Sequence, residues 1–212
     1  MSKLVISNLS KIYNDGSYQT TVLNGLSFTA SKSSLTAITG KSGSGKTTLL
    51  NLISGIDKPT GGEIIFNDKV INNSDSLTQF ADFGFVFQFH YLISTLTIEE
   101  NILIAAEIKN LPTKQARLRL HDFAAQLGIN DKLKQYPFQL SGGERQRAAV
   151  IRAIINEPSL VLMDEPTGNL DQDNSIKLQE LLMDLMHQQE SVFIVATHDM
   201  AFAGRADQVI AL

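Results

Sequence analysis

The chain contains no cysteine. No disulfide and no thiolate metal site can form, which fits a reducing compartment. It also lacks an excess of positive charge. Eighteen Lys and Arg stand against 22 Asp and Glu, for a formal net charge of -4. Proteins that grip duplex nucleic acid carry a basic face, so the composition gives nucleic-acid binding no support. No apolar run approaches the roughly 18 to 20 residues needed to cross a bilayer. The N-terminal Met1-Ser2-Lys3-Leu4-Val5-Ile6-Ser7-Asn8 lacks the apolar core of a signal peptide. A membrane role would therefore need a separate embedded partner. There is no internal repeat and no low-complexity linker.

What remains is an ordinary globular composition. The 212 residues are 43% hydrophobic and 19% charged, enough for one compact domain with room for a subdomain. Short apolar runs bounded by turn residues predict strands over Leu4 to Leu9, Leu26 to Ala30, Leu35 to Thr39, Glu63 to Phe66 and Phe83 to Phe87. Further strands are expected over Leu160 to Met163, Ser191 to Thr197 and Gln208 to Leu212. Asn14-Asp15-Gly16-Ser17 and Pro59-Thr60-Gly61-Gly62 read as turns. Helical spacing predicts helices over Lys46 to Ser54, after an N-cap at Thr97, over Thr113 to Leu127, and from a cap at Ser141 to Glu157. Another has Leu178, Leu181, Leu182, Leu185 and Met186 on one face. Strands alternating with helices imply an α/β fold with a largely parallel sheet covered on both faces. Residues from about Phe89 to Gln139 form a mainly helical insertion in that pattern.

Three motifs carry chemistry. Gly40-Lys41-Ser42-Gly43-Ser44-Gly45-Lys46-Thr47 follows a strand and opens a helix, the proper context for a Walker A phosphate loop. Its glycines let backbone N–H groups converge on phosphate oxygens, and the helix presents its positive end to the same anion. Lys46 is expected on the β- and γ-phosphates and the Thr47 hydroxyl on Mg²⁺. A glycine-rich turn that binds nothing is the bland alternative. Asp164-Glu165 ends an apolar strand and is expected beside the phosphate loop. Asp164 reads as the Walker B acid on Mg²⁺, and Glu165 as the general base for water. Alone, the pair could be two solvated acids opening the turn Glu165-Pro166-Thr167-Gly168. Leu140-Ser141-Gly142-Gly143-Glu144 opens a helix with a small hydroxyl and bare backbone, a second anion site. One nucleotide cannot easily use two such sites on one chain. A head-to-tail dimer solves this, each Ser141 loop closing on nucleotide held by the other chain. A lone Ser-Gly-Gly would be a capped helix and nothing more.

With these motifs in this order the chain resembles the nucleotide-binding subunits of ATP-binding-cassette (ABC) transporters, over essentially its whole length. The resemblance implies a P-loop NTPase fold with an N-terminal antiparallel β subdomain and a helical subdomain. Residues 1–88 and 157–212 would form the core, and residues 89–156 the helical subdomain carrying the signature. It implies ATP and Mg²⁺ as ligands, with Gly40, Lys41, Ser42, Gly43, Ser44, Gly45, Lys46, Thr47 and Thr48 at the phosphates. Ser141, Gly142, Gly143 and Glu144 would close from the other copy. Tyr13 would stack on adenine, although a hairpin tyrosine can also simply pack on the sheet. Gln88 would touch Mg²⁺ and the attacking water and begin the segment that senses a membrane partner. His198 would act as the switch on the γ-phosphate. Asp171, in Thr167-Gly168-Asn169-Leu170-Asp171, would cross the dimer interface. His90, His121 and His187 match no motif and read as surface or packing residues. Arg145 and Arg147 read as helix and interface charge.

Two departures from the family pattern stand out. Ser33-Ser34 replaces a common Gly-Glu, which alters a turn without removing a ligand. A C-terminal regulatory domain is not expected. Gly168-Asn169-Leu170-Asp171, with Gln88-Phe89-His90-Tyr91-Leu92, resembles the branch of lipoprotein-releasing, macrolide-exporting and cell-division ATPases. That resemblance implies an ATP-hydrolysing homodimer, cytoplasmic and peripheral at the inner membrane face through integral permease subunits. Phe87, Phe89, Tyr91, Leu92 and Ile93 are candidates for the coupling surface and equally for core. An ATPase that acts on a membrane complex without transport shares every motif. Soluble family members that work on DNA or ribosomes fit less well, since no coiled-coil insertion and no second cassette is present. An ordinary phosphate-loop kinase leaves Leu140 to Glu144 unexplained.

Overall fold

The computed structural model describes residues 3–16, 18–71 and 82–212. Ser17, at the tip of the first expected turn, lies outside them, as do Met1 and Ser2. Five strands form an all-parallel sheet: β3 (Ser34–Thr39), β6 (Phe83–Val86), β7 (Leu160–Asp164), β8 (Val192–Ala196) and β9 (Gln208–Ala211), in the order β6-β7-β8-β3-β9. A second, antiparallel sheet joins β1 (Lys3–Asp15), β2 (Tyr18–Ser31), β4 (Gly61–Phe66) and β5 (Lys69–Val70), in the order β2-β1-β4-β5.

The central strands β7 and β8 are almost wholly apolar because each feeds two cores. Alternate side chains of a strand point to opposite faces. Leu160, Leu162, Val192, Ile194 and Ala196 join one cluster with helix α1 (Lys46–Ile53) and the antiparallel sheet. Val161, Met163, Phe193 and Val195 join the other. That second cluster is closed by α2 (Ile98–Ile108), α3 (Thr113–Gln126), α4 (Gly142–Ile154), α5 (Gln172–Gln188) and the short α6 (Met200–Ala203). Helix α1 is thus held between two sheets, which fixes the phosphate loop at its N-terminus.

Several boundaries differ from those expected. Strands β1 and β2 run past the apolar alternation into Thr, Gln and Asn, because a long two-stranded hairpin pairs its backbone even where both faces meet water. Helix α4 ends at Ile154 rather than Glu157. Glu157 adopts φ 48°, and Pro158 follows it. Ser33 stands at φ 54° in the β2–β3 turn, a left-handed position where a glycine would cost nothing. Short α6 gave no periodic signal. It is held by Asp199, whose carboxylate accepts from the N–H of Ala201 and Phe202.

Candidate active site

The carboxyl ends of the parallel strands lie level. Asp164 pairs with Ala196, and Ala196 with Ile38. Whatever follows each strand therefore meets at one edge of the sheet, where ligands bind in open α/β folds. The phosphate loop follows β3, Gln88 follows β6, Glu165 follows β7, and His198 follows β8. Ser42, Gly43, Gly45, Lys46, Thr47, Thr48, Gln88, Asp164, Glu165 and His198, with Val22, line one cavity of about 630 Å³.

Within the phosphate loop Gly40 and Gly45 are sterically required. Gly45 adopts φ 101°, and a Cβ there would stand 2.8 Å from Val22 Cγ1. A Cβ on Gly40 would meet the Ser44 hydroxyl and the Leu212 carbonyl. Lys46 is buried, and its Nζ donates to the carbonyls of Gly40 (2.9 Å) and Lys41 (3.4 Å). Ser44 Oγ is buried with no hydrogen-bond partner. Gly40, Lys41 and Ser44 do not themselves line the cavity.

Strand β7 is not the neighbour of β3, since β8 lies between them. The acids still reach the loop: Thr47 Oγ1 donates to Asp164 Oδ2 at 2.8 Å. Burial pushes the Asp164 carboxyl up, and the Glu165 charge adds to this, against the Thr47 hydrogen bond and Lys46. Adjacent strand residues would point to opposite faces. Glu165 instead adopts φ 46°, a left-handed conformation uncommon outside glycine, and the chain swings so that both acids line the cavity. Glu165 Oε2 lies 2.9 Å from His198 Nδ1 and 3.3 Å from His198 N, and Oε1 lies 3.7 Å from Lys46 Nζ.

Hard oxygen donors are grouped here. Among the described residues no cluster of three or more His, Asp or Glu could hold a metal alone. Magnesium characteristically takes one or two protein carboxylates and completes its shell with phosphate and water. The Thr47 hydroxyl and Asp164 carboxylate, with the Gln88 amide in the same wall, fit that habit.

The remaining expected residues stand elsewhere. Ser141 is exposed and forms a capping box with Glu144: Ser141 N donates to Glu144 Oε2 at 2.8 Å and Glu144 N to Ser141 Oγ at 3.3 Å. Gly142 and Gly143 follow in the first turn of α4, facing Asn169 and Asn174. Asp171 is exposed and caps α5 through Asn174 N at 2.9 Å. None of these five lines the cavity. Tyr13 stands on β1, 42% exposed and outside the cavity lining, and its hydroxyl donates to Asp57 Oδ2 at 2.6 Å.

Some contributors carried no motif. Val22 supplies an apolar wall from β2. Arg152 donates from α4 to the carbonyls of His90 and Tyr91, 2.6 Å each, holding the segment after Gln88 where both residues have positive φ. Asn101, fully buried, ties down Ile93, Leu96 and Thr97 through their carbonyls. Such links join distant parts of the chain and leave no spacing signature.

Comparison with known proteins bears on the family and the fold. The ABC transporter family profile matches residues 23–168, more than half of the chain. The lipoprotein-releasing system ATP-binding protein LolD of Buchnera aphidicola is 42% identical over 205 residues, covering 94% of this chain and 90% of that one. The protein of the same description from Saccharophagus degradans is 41% identical over 209 residues, covering 97% and 92%. A solved ATP-binding cassette, described as a dimeric post-hydrolysis state bound to ADP and Pi, is 33% identical with a TM-score of 0.89. It matches 99% of this chain and 94% of its own. A dimeric bacterial ABC transporter cassette, also 33% identical over the same shares, has a TM-score of 0.90. The chain belongs to the ABC transporter family, as one of its ATP-binding, ATP-hydrolysing subunits.

Proposed function

We propose that two copies of this chain close head-to-tail around two ATP molecules and drive membrane-embedded permease subunits, in the manner of a lipoprotein-releasing motor. One observation carries the reading. The cavity gathers the phosphate loop, Asp164, Glu165, Gln88 and His198, while Ser141 and Asp171 stand exposed outside it on the same chain. A chain with its second anion site facing away from its own nucleotide is a half-site in search of its twin.

In this reading residues Gly40 to Thr48 cradle the triphosphate through backbone N–H groups and the Lys46 ammonium. Thr47, Asp164 and Gln88 hold Mg²⁺, which offsets charge on the phosphates. Glu165 takes the proton of the attacking water as its oxygen bonds to the γ-phosphorus and ADP leaves. His198, oriented by its contact with Glu165, faces the γ-phosphate. Tyr13 stacks on the adenine. Ser141, Gly142, Gly143 and Glu144 of the other copy cover the γ-phosphate, and each Asp171 crosses the interface.

The coupling surface is the apolar face around the segment after Gln88. Phe89, Tyr91 and Ile93 are 64%, 62% and 44% exposed, so the alternative of core packing does not apply to them. Beside them Ile56, Phe83, Phe85 and Phe87 line a groove of about 300 Å³. Among the described residues no helix is long and apolar enough to cross a membrane. Force would therefore pass through this face to permeases at the inner membrane surface. Residues 89–156 move as the lever and residues 1–88 with 157–212 as the core. The resemblance to named lipoprotein-releasing relatives supports that cargo. Reconstitution with the co-purifying permease tests it: ATP turnover should rise when lipoprotein is supplied. Turnover indifferent to any cargo would favour a regulatory complex instead.

A further inference from the structure

The strand that carries Tyr13 also carries Lys11, a buried lysine, and both side chains meet one carboxylate. Lys11 Nζ donates to Asp57 Oδ1 at 2.6 Å and the Tyr13 hydroxyl to Asp57 Oδ2 at 2.6 Å. Lys11 Nζ also donates to the Lys58 carbonyl at 2.7 Å. The same ammonium stands 4.6 Å from the centroid of the Tyr13 ring. One face of that ring is thus engaged by a cation, at a distance where the attraction is real.

Asp57 lies just past the end of α1, and its own N–H donates to the Asn51 carbonyl at 3.1 Å. Helix α1 begins with Lys46 and Thr47. A short chain of bonds therefore runs from the Tyr13 ring through Asp57 into the helix whose other end lines the triphosphate cavity. The hydrogen bond to Asp57 pushes the Tyr13 phenol up. Burial would raise Asp57, but bonds from Lys11, Tyr13 and the Lys58 N–H hold its carboxyl below the ordinary range. The carboxylate stays charged and the phenol stays a donor.

We propose that Lys11 and Asp57 are positioning residues for the nucleotide base. Together they fix the Tyr13 ring with its uncovered face toward the adenine, and they tie base recognition to the phosphate helix. This rests on Tyr13 stacking on the base. An unanchored tyrosine on an exposed hairpin would have to lose its rotamer freedom on each binding event, and that cost comes out of affinity.

Titration calorimetry of the full chain with Mg-ATP, and in parallel with magnesium tripolyphosphate, separates the possibilities. Tripolyphosphate has the anion and no base. Tyr13→Ala should weaken ATP by roughly 5- to 150-fold, the range of one lost stacking contact, and leave tripolyphosphate unchanged. Asp57→Ala should weaken ATP by about three- to tenfold, part of the same contact, again without touching tripolyphosphate. In steady-state assays that loss should fall on KM rather than on turnover at saturating ATP. Tyr13→Phe, which cuts only the hydroxyl link and keeps the ring, should show a smaller loss of the same kind and covers the case of an Asp57 variant that does not fold. If Tyr13→Ala binds ATP normally, stacking fails and the anchor with it. If Tyr13→Ala weakens ATP while Asp57→Ala and Tyr13→Phe do not, the anchor alone fails. If Asp57→Ala weakens ATP and tripolyphosphate equally, Asp57 merely supports α1, and the proposal is overturned.

Discussion

Replacing Glu165 by Gln removes a charge and a proton acceptor and little else. The side chain is the same length, and a glutamine at this position must adopt the same φ of 46°. The bonds that hold the carboxylate are a 3.3 Å contact from His198 N and a 2.9 Å contact with His198 Nδ1, and an amide oxygen can accept both. Lys46 stands 3.7 Å away, past hydrogen-bond length, and keeps its bonds to the Gly40 and Lys41 carbonyls. Ground-state binding should therefore survive, with ATP affinity within about threefold, under ~0.7 kcal/mol. The chemical step should not. Loss of a general base costs roughly 10²- to 10⁴-fold, or about 3 to 5 kcal/mol of barrier. Single-turnover phosphate release measures the step, and calorimetry measures the binding. Turnover within about tenfold of the parent would remove Glu165 from the role of base. A collapse of ATP affinity to match the loss of rate would instead make it a binding residue.

Three further expectations follow from particular contacts. Lys46→Ala should weaken ATP by roughly 10- to 150-fold, the worth of one charge-assisted hydrogen bond, and unchanged affinity by titration would contradict the phosphate assignment. Ser141→Arg should leave ATP binding by the single chain intact yet keep the Glu165→Gln protein monomeric by light scattering, whereas a normal ATP-dependent dimer would mean Ser141 is not at the interface. Asp199→Ala should lower stability by about 1 kcal/mol at neutral pH through loss of the α6 cap. Burial raises the Asp199 carboxyl, but N–H bonds from Phe202, Gln179 and Ala201 carry it below its ordinary 3.8. A depressed folded value means this stability is present above the unfolded value and lost as pH falls through the folded one. The gap in urea midpoint between parent and variant should close on acidification, and a gap that stays constant would refute the assignment.

The parts of the candidate site are legible in the sequence because each is local. A glycine loop after an apolar strand, and two acids at the end of another, are written in consecutive residues. Their meeting is not. Thr47 and Asp164 are 117 positions apart, and nothing in either segment says that β8 would lie between their strands. The long hairpin of β1 and β2 was underestimated because Tyr18 to Val22 is mostly exposed and its polar residues break the alternation. Helix α4 ends three residues before the expected Glu157, because the chain leaves the helix after Ile154 and has turned to a left-handed φ by Glu157. Lys11 and Asp57, like Arg152, leave no local signature, because each acts across elements through a bond whose two ends carry no shared pattern.

In the proposed dimer the two halves of each nucleotide site come from different copies. The absence of cysteine gives a clean background for testing it. Ser42→Cys in one population and Ser141→Cys in another, both carrying Glu165→Gln, can be mixed with Mg-ATP and treated with a short dithiol-reactive linker. A covalent dimer of the two populations should form with ATP and not without it. Failure to link the two populations under ATP, together with rapid linking of both positions inside one doubly substituted chain, would contradict the proposed dimer.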